Sequence, residues 1–566
     1  MKLKTLLGVL SMIAVTPLHA TEPLDSVYNS LKVNPSTTTT LVKYTGTFSQ
    51  DCPGFMYHRG MGNGWTEGEK IQLAGVAPEM AESIFNIFDR SASEVGHVTV
   101  LKTDRACFDS NNMLGYACHY DEETGTMQFL RATVEAEITI PYDWFKRDFY
   151  DGSVERIQVQ LPVAEWVAAL AKLNTELKYN YVFYDRCKSR IDSAYKEIFP
   201  MMTRVSDNYE AYRLLERFIA SCNDGHTCVF SSGVIEQPVS SPFTTRLIDG
   251  RVYIDNVESI ALDATGIKRG WEIVEVNGVT ARQYADSVLS PYVSSSTPQW
   301  TDYMVYDGNG FTRGHKGDTL HLALRNGKKN VNVAHIIGSG KKDMPSRSKG
   351  FNFSKIKGNV GLLRIPDFQS PTVTELFDAV YDDILSTDAL IIDIRGNGGG
   401  NSGFATYIAQ HFSADSIATA SWSSPLYCPA FASWGQEPFK HESPSQKIAP
   451  IDDKELYLKP VVILIDRGTF SAAEDFAALF KGMKRATFVG SPTGGSTGNG
   501  VRVQLNPLVS ANICSKHDTA PDGTEFVGIG IQPDIPVAET PATYFAKKPT
   551  LTTDPYISTA LTTLKK

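Results

Sequence analysis

Residues 461–483 read VVILIDRGTFSAAEDFAALFKGM, and this stretch decides the fold class. Its first five residues form an uninterrupted apolar run, which is typical of a strand buried on both faces of a parallel sheet. After a short turn, apolar residues recur at helical spacing from Ala472 onward. A buried strand followed directly by an amphipathic helix predicts an α/β layer structure.

The same alternation of strand and helix occurs upstream. The segments NVGLLRI and ALIIDI read as strands, and TVTELFDAVYDDIL and GFATYIAQHF read as helices; they begin at residues 359, 389, 372 and 403. The alternation predicts one α/β core with a largely buried parallel sheet over residues 345–545.

Ser471 lies where the strand at 461–465 gives way to the helix. Ligands of α/β folds gather at the carboxyl ends of parallel strands. A helix N-terminus offers free N–H groups and a positive dipole end, which suit a nucleophile and the oxyanion that it generates. The alternative is that Ser471 is only an N-cap, a position for which Ser is preferred.

Two glycine-rich loops accompany this junction. The first, RGNGGG at 395–400, follows a strand, and its glycines let backbone N–H groups point outward toward an anion. It also fits a dinucleotide fingerprint, but no acidic residue ends a second strand about 20 residues later, so we favour an oxyanion loop. The second, GSPTGGSTGNG at 490–500, echoes a phosphate-binding loop but has Ser496 where that loop requires Lys.

His226 lies in DGHT at 224–227, a tight turn between Cys222 and Cys228. Histidine is the usual base for a serine hydroxyl near neutral pH. The alternative is a surface histidine without a role. Glu525 lies near the end of the core, where a carboxylate could orient the His or be a loop residue.

The rest of the chain divides by pattern. Alternating runs predict a β-containing region of open role over residues 21–155: VEAEITI lies within it at 134–140, and RIQVQL follows at 156–161. Residues 156–238 are predicted to be a mainly helical region. Residues 239–340 resemble a PDZ domain through GIKRGWEIVEVNGV and a hairpin at Asn326-Gly327. Residues 546–566 are expected to be a C-terminal tail.

The first twenty residues predict a cleavable secretory signal, with two lysines before a short apolar run. No other run is long enough to cross a membrane. With 566 residues, 42% of them apolar, and a net charge of −9, the chain is expected to be globular and not to bind nucleic acid.

Eight cysteines in an exported chain favour disulfides. The short-range candidates are Cys107 with Cys118 and Cys222 with Cys228. No CxxC or HExxH motif occurs, so the sequence gives no support for a zinc site.

Together the motifs resemble peptidase family S41, the carboxy-terminal processing proteases and their tricorn-core and interphotoreceptor retinoid-binding relatives. The matching pieces run from about residue 221 to 537 and are, in order, NDGHT, the PDZ-like unit, NVGLLRIPDF, ALIIDIRGNGGG, GTFSAAEDFA, GSPTGGSTG and GIGIQPDI. The resemblance implies a crotonase-like (ClpP-like) α/β core with Ser471 as nucleophile. It implies an oxyanion hole made by the backbone N–H of Gly398 or Gly399 and that of Ala472.

In the Ser/Lys branch of that family a Lys after the Ser helix is the base, and here Ser496 stands in that segment. The chain is therefore similar to the His-using branch, which makes His226 the base. That branch has an acid near the final GI-x-PD motif, so Glu525 is the candidate that orients the His, with Glu474 as its rival.

The expected function is an exported serine endopeptidase or carboxy-terminal processing peptidase, periplasmic or extracellular. It would act on peptide or protein substrates and require no metal or organic cofactor. Two alternatives remain: a catalytically inactive member that binds a hydrophobic ligand or peptides, and a scaffold in which only the PDZ-like unit functions.

Overall fold

The computed structural model describes strands between Lys32 and Gln160, and residues 161–565 apart from 232–234, 236–237, 341, 345–349, 437–438, 507 and 547–552. Two compact units emerge. One comprises residues 1–162 with 207–209 and 232–235, and the other comprises the remaining residues. The predicted signal segment, Cys52 and Cys107 lie outside the described residues.

The first unit contains an antiparallel five-stranded sheet. Its strands, in spatial order, are Lys32–Val33, Gly152–Gln160, Thr40–Phe48, Val134–Pro141 and His97–Thr103. Two separate hairpins pair Met56–Arg59 with Trp65–Ile71 and Cys118–Asp121 with Thr126–Phe129. Both strands expected from alternation in this region are present.

Three helices follow the first unit along the chain: Val163–Asn180, Tyr184–Met202 and Asn208–Ala220. The first buries Trp166, Leu170, Leu173 and Leu177, which recur at helical spacing. The sequence predicted two of these three helices. It did not predict Tyr184–Met202, because the polar residues of this segment hide its apolar stripe.

Residues 239–340 form an antiparallel sheet around their own core. Its strands, in spatial order, are Phe243–Ile248, Arg251–Val257, Glu272–Val276, Thr319–Asn326 and Lys329–Ile336, with Val279–Thr280 beside Glu272–Val276. Short helices connect them: Ile260–Thr265, Ala281–Tyr284 and Pro298–Tyr306, with a π-helical turn at Ala285–Leu289 and 3₁₀ turns at Ser290–Tyr292 and Gly310–Thr312. Asn277 adopts a left-handed conformation at the expected Asn-Gly turn.

The largest core surrounds a six-stranded sheet. Its order is Asn352–Ile356, Val360–Arg364, Ala389–Asp393, Val461–Ile465, Thr487–Gly490 and Ile535–Pro536, and all neighbours are parallel except the first pair. Every residue of Ala389–Asp393 and Val461–Ile465 is buried, as the apolar runs predict. The helices of this core are Thr372–Leu385, Ser402–Ala409, extended by a 3₁₀ turn at Gln410–Phe412, and Ala472–Gly482.

Smaller elements surround this core. One antiparallel sheet joins Cys228–Ser231, Val509–Cys514 and Gly500–Asn506, and another joins Phe439–Ser443, Ser421–Leu426 and His517–Thr519. Ile417–Ala418 pairs with Lys447–Ile448, and short helices occupy Pro429–Ser433 and Pro541–Tyr544.

The predicted disulfide between Cys222 and Cys228 is wrong, because both thiols are free. Free thiols are also present at Cys187, Cys428 and Cys514. Burial raises the pKa of the Cys187 thiol to about 11 and that of Cys228 to about 12, so these thiols are weak nucleophiles. The pairing of Cys107 with Cys118 falls outside the described side chains.

The expected C-terminal tail contains a packed helix, Pro555–Thr563, which buries Tyr556, Ile557 and Ala560 against the core sheet. Asp554 caps it by accepting bonds from the Tyr556 and Ile557 amides. Asp554 also accepts from Arg395, which pairs with Asp393 at 2.8 Å. Burial alone would raise the pKa of Asp393, but Arg395 and Arg364 hold it well below its usual range.

Replacing Asp554 by Ala should lower the thermal unfolding midpoint of the protein. The variant loses an N-cap, worth about 1–2 kcal/mol, and leaves Arg395 with one carboxylate fewer. Asp453→Ala, an exposed carboxylate on the same core, is the control and should shift stability by no more than about 0.5 kcal/mol. Equal midpoints for the two variants in differential scanning calorimetry would contradict this account.

Candidate active site

Ser471 stands at the N-cap of the helix Ala472–Gly482, in a backbone conformation that non-glycine residues seldom adopt. Its φ is 55° and its ψ is −126°. The Ser471 amide donates to the Ser496 carbonyl oxygen at 3.1 Å, and the Phe470 amide donates to the Asn397 carbonyl oxygen at 2.9 Å. These bonds hold a sharp turn between strand and helix, and such strained residues cluster at functional sites.

His226 reaches Ser471 from a distant part of the chain. Its Nε2 lies 2.9 Å from the Ser471 Oγ. The DGHT turn that carries it is closed by Asp224, whose carboxylate accepts from the His226 amide at 3.1 Å and the Thr227 hydroxyl at 2.7 Å. The two sequence-predicted residues are thus within hydrogen-bonding distance.

The other ring nitrogen of His226 faces a hydroxyl instead of a carboxylate. Nδ1 lies 2.8 Å from the Ser496 Oγ, which donates to the Asp224 Oδ1 at 3.2 Å. Because the Ser496 proton goes to Asp224, the Ser496 oxygen accepts from Nδ1–H. Nε2 then carries the lone pair and accepts from Ser471. Asp224 and Ser496 are buried, so this chain of hydrogen bonds is shielded from water.

The surroundings favour the neutral form of His226. Burial lowers the pKa of its imidazole, and the carboxylates of Asp224 and Asp518 oppose this only in part. A neutral imidazole with a free Nε2 is the form that can accept a proton.

An aromatic stack fixes the plane of the imidazole ring. The His226 ring lies parallel to the Phe470 ring at 4.8 Å between centroids, and Phe470 stacks on Trp300 at 3.8 Å. A Cβ atom at Gly225 would lie 2.7 Å from the Phe470 ring, so glycine is required for this approach. Trp300 belongs to the helix Pro298–Tyr306 and brings the 239–340 unit against the site.

The RGNGGG loop packs directly against Ser471. A Cβ atom on Gly399 would lie 2.7 Å from the Ser471 Cβ. The Gly399 amide donates to the Asn397 Oδ1 at 2.9 Å and is therefore engaged. Among the hydrogen bonds of the described residues, the amides of Gly398 and Ala472 donate none, which leaves these two free for an oxyanion.

Glu525 does not contact His226, contrary to expectation. Its Oε2 lies 2.6 Å from the His517 Nε2, and its Oε1 accepts from the Val527 amide at 3.1 Å. The strand His517–Thr519 brings His517 to this carboxylate, which sequence spacing alone does not reveal.

Glu474, the rival for that role, does not contact the His226 ring either. Its buried carboxylate accepts from the Thr493 hydroxyl and from the amides of Gly495, Ser496 and Ser471. The pKa of this carboxyl is raised to about 8, because the effect of burial exceeds that of the hydrogen bonds, which act to lower it. Glu474 thus holds the segment 493–496, and with it the hydroxyl that faces His226.

The described part of the chain contains neither a metal-binding cluster nor a helix that could span a membrane. No group of three or more His, Cys, Asp or Glu side chains there is arranged to hold a metal ion. No helix there combines the length and apolar character needed to cross a membrane.

Known proteins match the same region. Residues 359–537 match the model of peptidase family S41. A carboxy-terminal-processing protease of Bartonella bacilliformis is 26% identical over 192 residues, 33% of this chain and 40% of that protein. A probable CtpA-like serine protease of Staphylococcus aureus is 27% identical over 240 residues, 39% of this chain and 44% of that protein. The chain therefore covers less than half the length of each of these relatives.

Solved structures extend the likeness over more of the chain. Mature CPAF superposes with a TM-score of 0.54 at 18% identity, over 71% of this chain and 97% of that one. Mature CPAF complexed with lactacystin gives a TM-score of 0.53 at 17% identity, over 71% and 98% of the two chains. At such identities the likeness shows a shared mixed α/β fold. Over residues 359–537, the chain is similar to peptidase family S41.

Proposed function

We propose that the protein is a serine endopeptidase or carboxy-terminal processing peptidase that cleaves peptide bonds through an acyl-enzyme on Ser471. The observation that carries this proposal is the hydrogen-bonded series from the Ser471 Oγ through His226 and Ser496 to Asp224. A nucleophile bonded to a base that is itself oriented by a third group is the arrangement that nucleophilic catalysis requires.

In the proposed reaction, Nε2 of His226 takes the hydroxyl proton as the Ser471 Oγ attacks the substrate carbonyl carbon. The free amides of Gly398 and Ala472 hold the developing oxyanion, and each such donor contributes about 3–4 kcal/mol in comparable sites. His226 then gives the proton to the leaving amine. Water, activated by the same nitrogen, attacks the acyl-enzyme and releases the acid product.

Ser496 and Asp224 are positioning residues in this proposal. The Ser496 hydroxyl fixes the tautomer with a proton on Nδ1, and the carboxylate of Asp224 favours the imidazolium that forms during the reaction. Glu525 has no part in it, since its carboxylate is bound to His517.

The proposal includes a crotonase-like core at residues 345–545 and a PDZ-like unit at 239–340 that binds an exposed peptide end. The mainly parallel sheet with Ser471 at a strand's carboxyl end supports the first. The antiparallel sheet with its Asn-Gly turn supports the second. Export to the periplasm or the medium rests on the pattern of residues 1–20 alone.

A fluorophosphonate probe should label Ser471 in the wild-type protein, as located by peptide mass mapping. Ser471→Ala should abolish labelling, and His226→Ala should slow it by roughly a hundredfold or more because the hydroxyl then lacks its base. His321→Ala, which removes an exposed histidine in the 239–340 unit, is the control and should label normally. A folded wild-type protein that does not label would favour the inactive, ligand-binding alternative.

Ser496→Ala should reduce the labelling rate by roughly tenfold or more, because Nδ1–H of His226 loses its acceptor and the productive tautomer is no longer fixed. Ser491→Ala, in the same glycine-rich segment, is the matched control and should keep the wild-type rate. Equal rates for the two variants would show that the Ser496 hydroxyl does not orient the base.

The labelling rate should fall at acid pH with a midpoint below 6.5, the ordinary value for histidine. The sign follows from the lowered pKa of His226: the imidazole stays neutral, and able to accept a proton, down to a lower pH than a free histidine. The measurement is the second-order labelling rate between pH 4.5 and 8. A midpoint above 6.5 would mean that the carboxylates outweigh burial.

A further inference from the structure

A pocket of about 250 Å³ opens beside the first two turns of the Ser471 helix. Asp475, Ala478 and Leu479 of that helix line it, and so do Trp422, Lys516 and Asp518 from other segments. We call it the acidic pocket. Its volume is below the roughly 300–1,000 Å³ of sites for drug-sized ligands, so it suits a single amino-acid side chain.

The acidic pocket lies next to the residues that would do the chemistry. The Asp475 amide donates to the Ser471 carbonyl oxygen at 3.0 Å, so the pocket begins one helical turn from the nucleophile. Ser402, which follows the RGNGGG loop, also lines it and donates to the Asp475 Oδ2 at 2.6 Å. The Asp518 carboxylate is near enough to His226 to raise its pKa, against the larger effect of burial.

Charge in the pocket is unbalanced. It contains the carboxylates of Asp475 and Asp518 but a single cation, Lys516, whose Nζ lies 2.6 Å from the Asp518 Oδ1. The Asp475 Oδ1 accepts from the Thr497 hydroxyl at 2.9 Å, so this carboxylate has hydroxyl partners only. Burial raises the pKa of Asp475 to about 6, and Asp518 adds to the rise, which leaves Asp475 mainly ionised at neutral pH. The pocket then has a net negative charge.

One carboxylate oxygen of the pocket lacks a partner. Asp518 is only 3% exposed, and among the described residues its Oδ2 has no hydrogen bond. Leaving a buried carboxylate oxygen without a donor is unfavourable, because the oxygen has lost water and gained no partner in exchange. This atom lacks a hydrogen-bond donor, and a cationic donor would also balance the charge of the pocket.

The other walls suit the stem of a long basic side chain. Ala478 and Leu479 offer apolar surface for methylene groups. The Trp422 ring already faces the ammonium of Lys516 at 5.7 Å, which is cation–π distance.

We propose that the acidic pocket is the specificity site for the residue whose carbonyl Ser471 attacks, and that it takes the side chain of Arg or Lys. This inference rests on the proposed peptidase function and names its substrate class. The basic group would bind between Asp475 and Asp518, and the aliphatic stem would lie along the Ser471 helix.

The test uses internally quenched peptides that differ only at the cleaved residue, which is Arg, Lys, norleucine or Glu. Wild-type kcat/KM should be at least roughly tenfold higher for Arg and Lys than for norleucine, and lowest for Glu. In Asp518→Asn the Arg-to-norleucine ratio of kcat/KM should fall toward one. In Lys516→Met the ratio should rise, because the pocket loses its internal cation.

The opposite directions expected for these variants separate charge recognition from damage to the fold. Cleavage of Arg and norleucine peptides at equal rates by the wild type, or the same ratio in all three proteins, overturns the specificity proposal while the peptidase function stands. If no peptide is cleaved and Ser471 does not react with the fluorophosphonate probe, both proposals fail.

Discussion

The buried carboxyl group of Glu474 is the contact on which the site depends. It accepts hydrogen bonds from the Ser471 amide and from the amides of Gly495 and Ser496, so one side chain joins the two segments that carry hydroxyl groups. With no exposed surface, it has no water to replace those donors. The Ser471 amide donates to this carboxyl group and to the Ser496 carbonyl oxygen, and these bonds help to hold Ser471 at its positive φ.

The hydroxyl groups of these two segments belong to one series of hydrogen bonds. It runs from the Ser471 Oγ through the His226 ring to Ser496 and Asp224, which are buried. A hydroxyl between imidazole and carboxylate keeps the negative charge at a greater distance from the ring than a direct ion pair would. That distance agrees with the lowered pKa of His226, because burial outweighs the weakened attraction of Asp224.

The sequence predicted the parts of the fold that follow from local patterns. The continuous apolar strands and the helix after Ser471 are where periodicity places them, and so is the His226 turn. Partners fixed by tertiary pairing were not predictable: Glu525 turns to His517 because a strand brings that residue close. Ser496 was visible as the residue in place of a Lys. Nothing in its spacing indicated that it would lie between His226 and Asp224. The role of the Asp224 carboxylate, which accepts from the Ser496 hydroxyl, was not predicted either.

The contact between Ser471 and His226 joins residues 245 positions apart, and that between His226 and Ser496 joins residues 270 apart. Closing loops of this length is entropically unfavourable until the core between them has formed. The contact between Ser471 and His226 therefore depends on tertiary structure, including the 239–340 unit that lies between them in sequence and packs Trp300 onto Phe470. An unfolded or partly folded chain lacks the hydrogen bond between Ser471 and His226, so the reactivity proposed for Ser471 depends on the folded molecule.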